Sequence, residues 1–230
     1  MKKTTKSILA LLIFTTAFFN SCSNDDDSGE SFGTTTGNFL PLAVDNRWNY
    51  LNEDLVNQNQ VQIIGTSTVD GKKYFEYFNT GTSINVRQFF AKKGATYFLK
   101  TGTATTYQGA TTIKISGYEL PILKDDYAIN ENWTSSVSPK VTFTGNGQSG
   151  NIPLKLDFTG TNYYKGEVIL NGITYPNVIK TRLTIITTVN GQVSTVISES
   201  WFAENIGIIK EIETSNGQTN ISNIDTYYIY

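Results

Sequence analysis

Apolar and polar residues alternate along nearly the whole chain after position 39. In the segment 154–159, Leu and Phe occupy the even positions, and Lys, Asp and Thr occupy the odd ones. No window from 39 to 230 holds apolar residues at i, i+3, i+4 and i+7 over three turns, as an amphipathic helix would require. Successive side chains of a strand point to opposite faces, so this alternation predicts an all-β domain with little helix.

Short turn signals separate the alternating segments. Asp70-Gly71, Asn171-Gly172, Asn190-Gly191 and Asn216-Gly217 each stand between two strand-like runs, and Asn146-Gly147 is a weaker example. Asn and Asp tolerate positive φ and Gly adopts it freely, so these pairs fit two-residue hairpin turns. The spacing predicts one antiparallel meander of about a dozen strands over 39–230, as a curved sheet or half-open barrel. Single long strands are expected at 105–118 and 132–144, and two strands at 152–160 and 163–171.

Several predicted strands carry aromatic residues on both faces, which a sheet with one solvated face would not show. Either both faces are covered, the commoner case, or one face lines a concave apolar cavity. The candidate ligand-facing aromatics are Tyr74, Phe75, Tyr77, Phe89, Tyr163 and Tyr164.

The first thirty residues have the pattern of an export signal. Lys2, Lys3 and Lys6 precede the apolar run 8–19, which is too short to span a bilayer comfortably. Cys22 follows this run, and the segment resembles a bacterial lipoprotein signal, which is cleaved before a lipid-carrying cysteine. Ser21 fits that motif, whereas positions 19 and 20 depart from its strict form. The resemblance implies a signal peptide at 1–21 and lipidation of Cys22; the alternative is an ordinary secretory peptide that is cut elsewhere.

An acidic cluster follows the cysteine. Asp25, Asp26 and Asp27 resemble the surface-export signal of lipoproteins in the Bacteroidota, which implies a lipid-anchored, surface-exposed outer-membrane protein. The alternative is a solvated linker on a periplasm-facing anchor. Residues 22–38 are acidic and Gly/Thr-rich, so we interpret them as a flexible tether that precedes the domain at 39–230.

Composition excludes many kinds of chemistry. The net charge is −2, and the chain has no histidine and one cysteine. Ser-His and Cys-His catalysis and His/Cys zinc sites are therefore absent, and a strongly basic nucleic-acid surface is missing as well. We expect no catalytic activity, no cofactor, no metal and no nucleic-acid partner.

The remaining candidates for chemistry are weak. Glu211 and Glu213 share a strand face with no evident cleft, so we interpret them as solvated. Asp125-Asp126, with nearby Asn130 and Glu131, lacks the spacing of a calcium loop. The three tryptophans have the aromatic faces that stack on sugars, but each lies in an alternating strand, which favours core packing: Trp48, Trp133 and Trp201. Alternating strands that end in Tyr230 also describe an outer-membrane barrel, but charges recur within the strands and the chain has its own anchor signal.

Two segments resemble a broad group of uncharacterised all-β bacterial lipoproteins. They are FLPLAVDNRWNY (39–50) and ESWFAENIGIIKEIE (199–213), the second with an aromatic-Ala…Ile-Gly-Ile-Ile-Lys pattern. These proteins are similar in pattern to the half-open barrel of LolA-like lipoprotein carriers. The resemblance implies a clamp-like fold and assigns no functional residue.

Three functions remain open. The leading hypothesis is a non-catalytic binding module for an amphipathic or apolar, lipid-like ligand. The alternatives are a glycan-binding accessory surface protein and a structural or adhesive surface protein.

Overall fold

The alternating segments form β-strands in the computed structural model, which describes residues 32–53, 58–69, 71–80 and 86–230. These residues contain strands, turns and no helix, and hence no helix long and apolar enough to cross a membrane. The strands are β1 Arg47–Asn52, β2 Gln58–Val69, β3 Lys72–Asn79, β4 Gln88–Lys93, β5 Thr96–Thr101, β6 Ala104–Gln108, β7 Thr111–Ile115, β8 Glu119–Lys124, β9 Asn132–Val137, β10 Val141–Gly145, β11 Gln148–Ile152, β12 Leu154–Leu170, β13 Ile173–Val189, β14 Gln192–Ala203, β15 Gly207–Ser215 and β16 Gln218–Tyr228. The predicted signal peptide 1–21, Cys22, the cluster Asp25, Asp26 and Asp27, and the turn residue Asp70 lie outside the described residues.

Twelve strands form one antiparallel sheet in the order β8-β5-β4-β3-β2-β1-β16-β15-β14-β13-β12-β9. Most neighbours are consecutive in the chain, as a meander requires, and the first strand pairs with the last. The all-β prediction of a curved, half-open antiparallel sheet is therefore confirmed.

The hairpin turns have the predicted backbone conformation. At 171–172, 190–191 and 216–217, both the Asn and the Gly have positive φ, between 47° and 78°. Type I′ turns require this at both central positions, and their twist matches that of the flanking strands.

Some strand limits differ from the prediction. The stretch 105–118 contains the β6–β7 hairpin, with Gly109 at φ 57° in its turn. The stretch 132–144 is interrupted at Pro139, which cannot donate to a ladder. Conversely, the two strands expected at 152–160 and 163–171 form one long strand, β12, whose register to β13 shifts at bulges near Tyr163 and Glu167.

The large sheet curls into a barrel with a seam between its edge strands. Across the seam, the Trp133 Nε1 of β9 donates to the Pro121 carbonyl of β8 at 3.2 Å. A second hydrogen bond joins β12 to β8, because the buried Asn162 side chain donates from Nδ2 to the Lys124 carbonyl at 2.7 Å. The seam is thus held by side chain-to-backbone hydrogen bonds in place of a strand ladder.

A second sheet, in the order β11-β10-β7-β6, is inserted at the seam. Its two hairpins leave the barrel between β5 and β8 and between β9 and β12. Its buried residues belong to the same core as the barrel interior: Ala104, Ile113, Ile115 and Val141. Both sheets therefore form one folded unit.

The segment 32–40 crosses one end of the barrel. The Phe32 carbonyl accepts a hydrogen bond from Ala95 N at 2.7 Å, and the Asn38 carbonyl accepts one from Asn205 N at 2.6 Å. Part of the predicted tether, 32–38, is thus bound to the barrel. We call this end, with its turns at 94–95 and 204–206, the closed end.

Candidate functional site

The barrel interior contains a cavity of about 360 Å³. Burial falls along the strands that line it, from Trp48 at 1% exposed to half-buried Asn52 in β1, and from buried Ile224 to exposed Asn220 in β16. The cavity therefore opens away from the closed end. Four asparagines of the lining mark this mouth: Asn52, Asn59, Asn79 and Asn220.

The floor of the cavity is built by the two segments on which the lipoprotein resemblance rests. Trp48 donates from Nε1 to the Ile206 carbonyl at 2.5 Å. Gly207 has φ 111°, and a Cβ there would lie 2.9 Å from Trp48 Nε1, so the close approach of the indole requires glycine. The Tyr50 hydroxyl donates to the Ile208 carbonyl at 2.9 Å. The segments 39–50 and 199–213 thus meet at this floor.

One side of the cavity is apolar and aromatic. The rings of Tyr77 and Phe90 stack with centroids 4.2 Å apart and an interplanar angle of 12°. Leu99 and Ile122 continue this surface on β5 and β8. We call these four residues the apolar wall.

The other side is polar, because strands β14, β15, β16 and β1 place polar residues at paired inward positions. Glu211 pairs with Ser200 on one side and with Ser222 on the other, and Ser222 pairs in turn with Asn52. One step nearer the mouth, Glu213 pairs with Asn220. We call these lining residues the polar wall: Asn52, Ser200, Glu211, Glu213, Asn220 and Ser222.

Burial in the cavity changes the pKa values of the two carboxyl groups of the polar wall. Burial, with a smaller contribution from the charge of Glu213, raises the pKa of Glu211 to about 7. Burial also raises the pKa of Glu213. The pKa values of Tyr50 and Tyr77 are raised well above the usual range by burial first and the nearby Glu211 charge second, so both hydroxyls stay neutral.

Sequence reasoning missed the two glutamates. The prediction that they are solvated is wrong, since both line the cavity. Their alternation along β15 correctly placed them on one face. The alternation could not show that β15 pairs with β14 and β16 within a curled sheet, whose inner face carries both side chains.

The six candidate aromatics are divided between the two faces of the sheet. Tyr77 lines the cavity, and Phe75, two positions away on the same face, packs against the core. The other four lie on the outer face of the barrel. Tyr74 and Phe89 alternate with inward-facing residues of β3 and β4. Tyr163 and Tyr164 follow the inward-facing Asn162 at the bulge of β12, where the register to β13 shifts.

The outer aromatics are covered by cationic side chains. Tyr74 and Phe89 form a small cluster in which Lys100 lies 4.3 Å from the Tyr74 ring and Arg87 lies 5.2 Å from the Phe89 ring. The apolar stems of such residues cover ring surface while their charges stay in water. These contacts explain how β3 and β4 can be aromatic on both faces without another sheet packed on the outer face.

Tyr163 belongs to a second outer group. Its hydroxyl donates to Glu199 Oε2 at 2.8 Å and accepts from Trp201 Nε1 at 3.2 Å. Burial, with the Glu199 hydrogen bond second, raises the pKa of Tyr163 to about 12. Lys180 lies 3.6 Å from the Trp201 ring centroid, so the indole face is already occupied.

The acidic loop at 125–131 is used structurally. Asp125 is fully buried and accepts hydrogen bonds from the Thr35 hydroxyl at 2.6 Å and from Thr36 N at 2.9 Å. Glu131 accepts from Ala128 N at 2.8 Å. Within the described part of the chain, no three His, Cys, Asp or Glu residues are grouped so that they could hold a metal ion.

Comparison with known proteins finds structural similarity only. A crystal structure from Parabacteroides distasonis ATCC 8503, provisionally described as a lipoprotein, is 14% identical over 84% of this chain and 99% of its own, with a TM-score of 0.47. Another, from Bacteroides fragilis NCTC 9343, is provisionally described as an exported protein with a YmcC-like fold. It is 9% identical over 84% of this chain and 99% of its own, with a TM-score of 0.45. No protein-family model and no curated protein matches the chain.

Proposed function

We propose that the protein is a lipid-anchored envelope protein that binds a small amphipathic ligand in the barrel cavity and catalyses no reaction. The observation that carries this proposal is the division of one cavity into an apolar wall and a polar wall. Such a cavity holds the apolar part of a ligand against Tyr77, Phe90 and Leu99, and its polar group near Glu211. Concave, mostly apolar sites with a few placed polar groups are the usual form of small-molecule sites.

The size of the cavity restricts the ligand. A volume of about 360 Å³ lies near the lower end of the range for small-molecule sites, roughly 300–1,000 Å³. It suits a compound with one short chain or ring system and is too small for a lipid with several long acyl chains. This favours a small amphiphile as the ligand.

The proposal of binding without catalysis rests on composition. The chain has no histidine, so histidine-dependent nucleophilic catalysis is not available to it. The two carboxyl groups of the cavity, Glu211 and Glu213, both have pKa values raised by burial.

The anchor and location belong to the same proposal. Lipidation of Cys22 would attach the protein to the outer membrane, and the acidic residues Asp25, Asp26 and Asp27 would direct it to the cell surface. The glycan-binding alternative has less support, because Trp48 and Trp133 are buried in the core and lysine covers Trp201.

The binding test uses the neutral fluorescent probe 1-N-phenylnaphthylamine and a variant that fills the cavity. Ser222→Phe places a ring at the polar wall, so we expect probe affinity to fall at least tenfold. Thr219→Phe adds the same ring at an exposed position of the same strand, outside the cavity lining, and we expect no change. A wild-type protein that does not bind the probe, or a Ser222→Phe variant that binds it unchanged, would contradict the proposal.

A further inference from the structure

The polar wall carries two carboxyl groups and no cationic side chain. The described residues that line the cavity include Glu211 and Glu213 but neither Lys nor Arg. The nearest cation along β15, Lys210, lies on the outer face, 5.0 Å from the Trp201 ring centroid. Burying a carboxylate without a partner is unfavourable, so an occupant with a positive charge would be stabilised there.

A buried hydroxyl beside the carboxyl groups also lacks a partner. Ser198 pairs across the strands with Glu213, so its side chain points to the inner face. It is 2% exposed, and its Oγ has no hydrogen-bond partner in the described structure. Ser198 is not among the residues that line the cavity, so its hydroxyl adds to the polar character of the inner face and is not itself a contact of the ligand.

The rest of the cavity suits the same kind of ligand. Trp48, Tyr50, Tyr77 and Phe90 all line it. The faces of aromatic rings attract ammonium groups, and this attraction is stronger where water is excluded. An aromatic enclosure with carboxylates on one side is complementary to an organic cation.

We propose that the ligand of this cavity is an organic cation: an ammonium group carried on a short apolar body. The ammonium group lies at Glu211 and Glu213, and the apolar body lies against Tyr77, Phe90 and Leu99. This inference rests on the proposed function, since it specifies the chemical class of ligand for the same cavity.

The test compares three probes that share an eight-carbon chain: octylammonium, octanol and octanoate. Binding is measured by titration calorimetry at pH 8, where Glu211 is mainly ionised, on the full-length chain with Cys22→Ala, which removes the acylation site. We expect octylammonium to bind at least tenfold more tightly than octanol, and octanoate to bind more weakly than either. Glu211→Gln and Glu213→Gln should each reduce the preference for octylammonium over octanol at least threefold. Glu167→Gln, at an exposed position of β12, should leave it unchanged.

The outcomes separate the two proposals. Equal binding of octylammonium and octanol, or tightest binding of octanoate, would overturn the cation and leave the amphiphile-binding function standing. If none of the three binds and phenylnaphthylamine also fails, the proposed function itself is wrong. The probe series uses the unaltered cavity, so it decides the question even if a glutamine variant does not fold.

Discussion

At the scale of single residues, Glu211 shows how the barrel changes the chemistry of a common side chain. Its neighbours in the sheet are the hydroxyls of Ser200 and Ser222, and the charged or titratable groups that act with it are Glu213, Tyr50 and Tyr77. None of these supplies a positive charge. Burial therefore favours the protonated carboxyl, the charge of Glu213 adds to this effect, and the pKa is raised to about 7.

This pKa predicts that stability depends on pH. The folded-state pKa is higher than the ordinary glutamate value of 4.5, so the folded protein binds more protons than the unfolded chain between these two pH values. The free energy of unfolding should fall as pH rises from about 5 to 8, by up to about 3 kcal/mol from this group. Urea unfolding at several pH values measures the change.

Glu211→Gln provides the comparison for that experiment. The amide does not titrate, so the fall in stability between pH 5 and pH 8 should become much smaller, and the variant should be the more stable form at pH 8. Glu167→Gln is the control at an exposed position. An unchanged pH profile in Glu211→Gln would show that the carboxyl is not buried as described.

At the scale of elements, β9 and β12 depend on one glycine for their contact. Gly160 pairs with Trp133, and a Cβ on Gly160 would lie 2.1 Å from Cε2 of the indole. Trp133 is 4% exposed and also holds the seam through its hydrogen bond to Pro121. Any side chain at position 160 must therefore displace both the ring and the seam contact.

We expect Gly160→Ala to lower the free energy of unfolding by about 1–3 kcal/mol, the usual cost of overpacking a core. The matched control is Gly65→Ala in β2, where a Cβ would meet nothing within 4 Å. That change should be neutral or slightly stabilising, because alanine restricts the unfolded chain. Chemical denaturation of both variants checks the pair, and equal effects would contradict the close approach.

At the scale of the whole molecule, the described part of the chain begins at the closed end, opposite the cavity mouth. Phe32, ten positions after Cys22, is bound at the closed end, so the lipid would lie within about 35 Å of that end even for an extended chain. The mouth, with Asn220, opens at the other end. We predict that the protein, if anchored by a lipid on Cys22 as proposed, presents its cavity away from the membrane.

Fluorescent labels can test this orientation. Cys22 is the only cysteine, so in the acylated protein an introduced cysteine is the sole free thiol. In vesicles with a headgroup quencher, a label at Thr174→Cys, in the β12–β13 hairpin at the closed end, should be quenched more than one at Asn220→Cys. Both labels should escape quenching in Cys22→Ala protein. Stronger quenching at position 220 would reverse the proposed orientation.

Local patterns in the sequence account for most of the fold that could be predicted. Asn-Gly pairs and strict alternation depend on a few neighbouring residues, so they located hairpins such as 190–191 and identified the antiparallel all-β class. Where a short sequence pattern is compatible with either a turn or a bulged strand, the prediction differed from the structure. Separate strands were expected at 152–160 and 163–171, yet Asn162 lies inside the continuous strand β12 and donates a hydrogen bond across the seam.

The cavity could not be predicted in this way, because alternation places residues on two faces without saying which face turns inward. Tyr77 and Tyr74 lie in the same aromatic strand, and only the pairing of β3 with its neighbours puts Tyr77 inside. The same holds for Glu211 and Glu213, whose pKa values depend on residues far away in the chain. The pairing of β1 with β16 joins the two halves of the sheet, and the curling of that sheet into a barrel brings those residues together. No short segment contains that information.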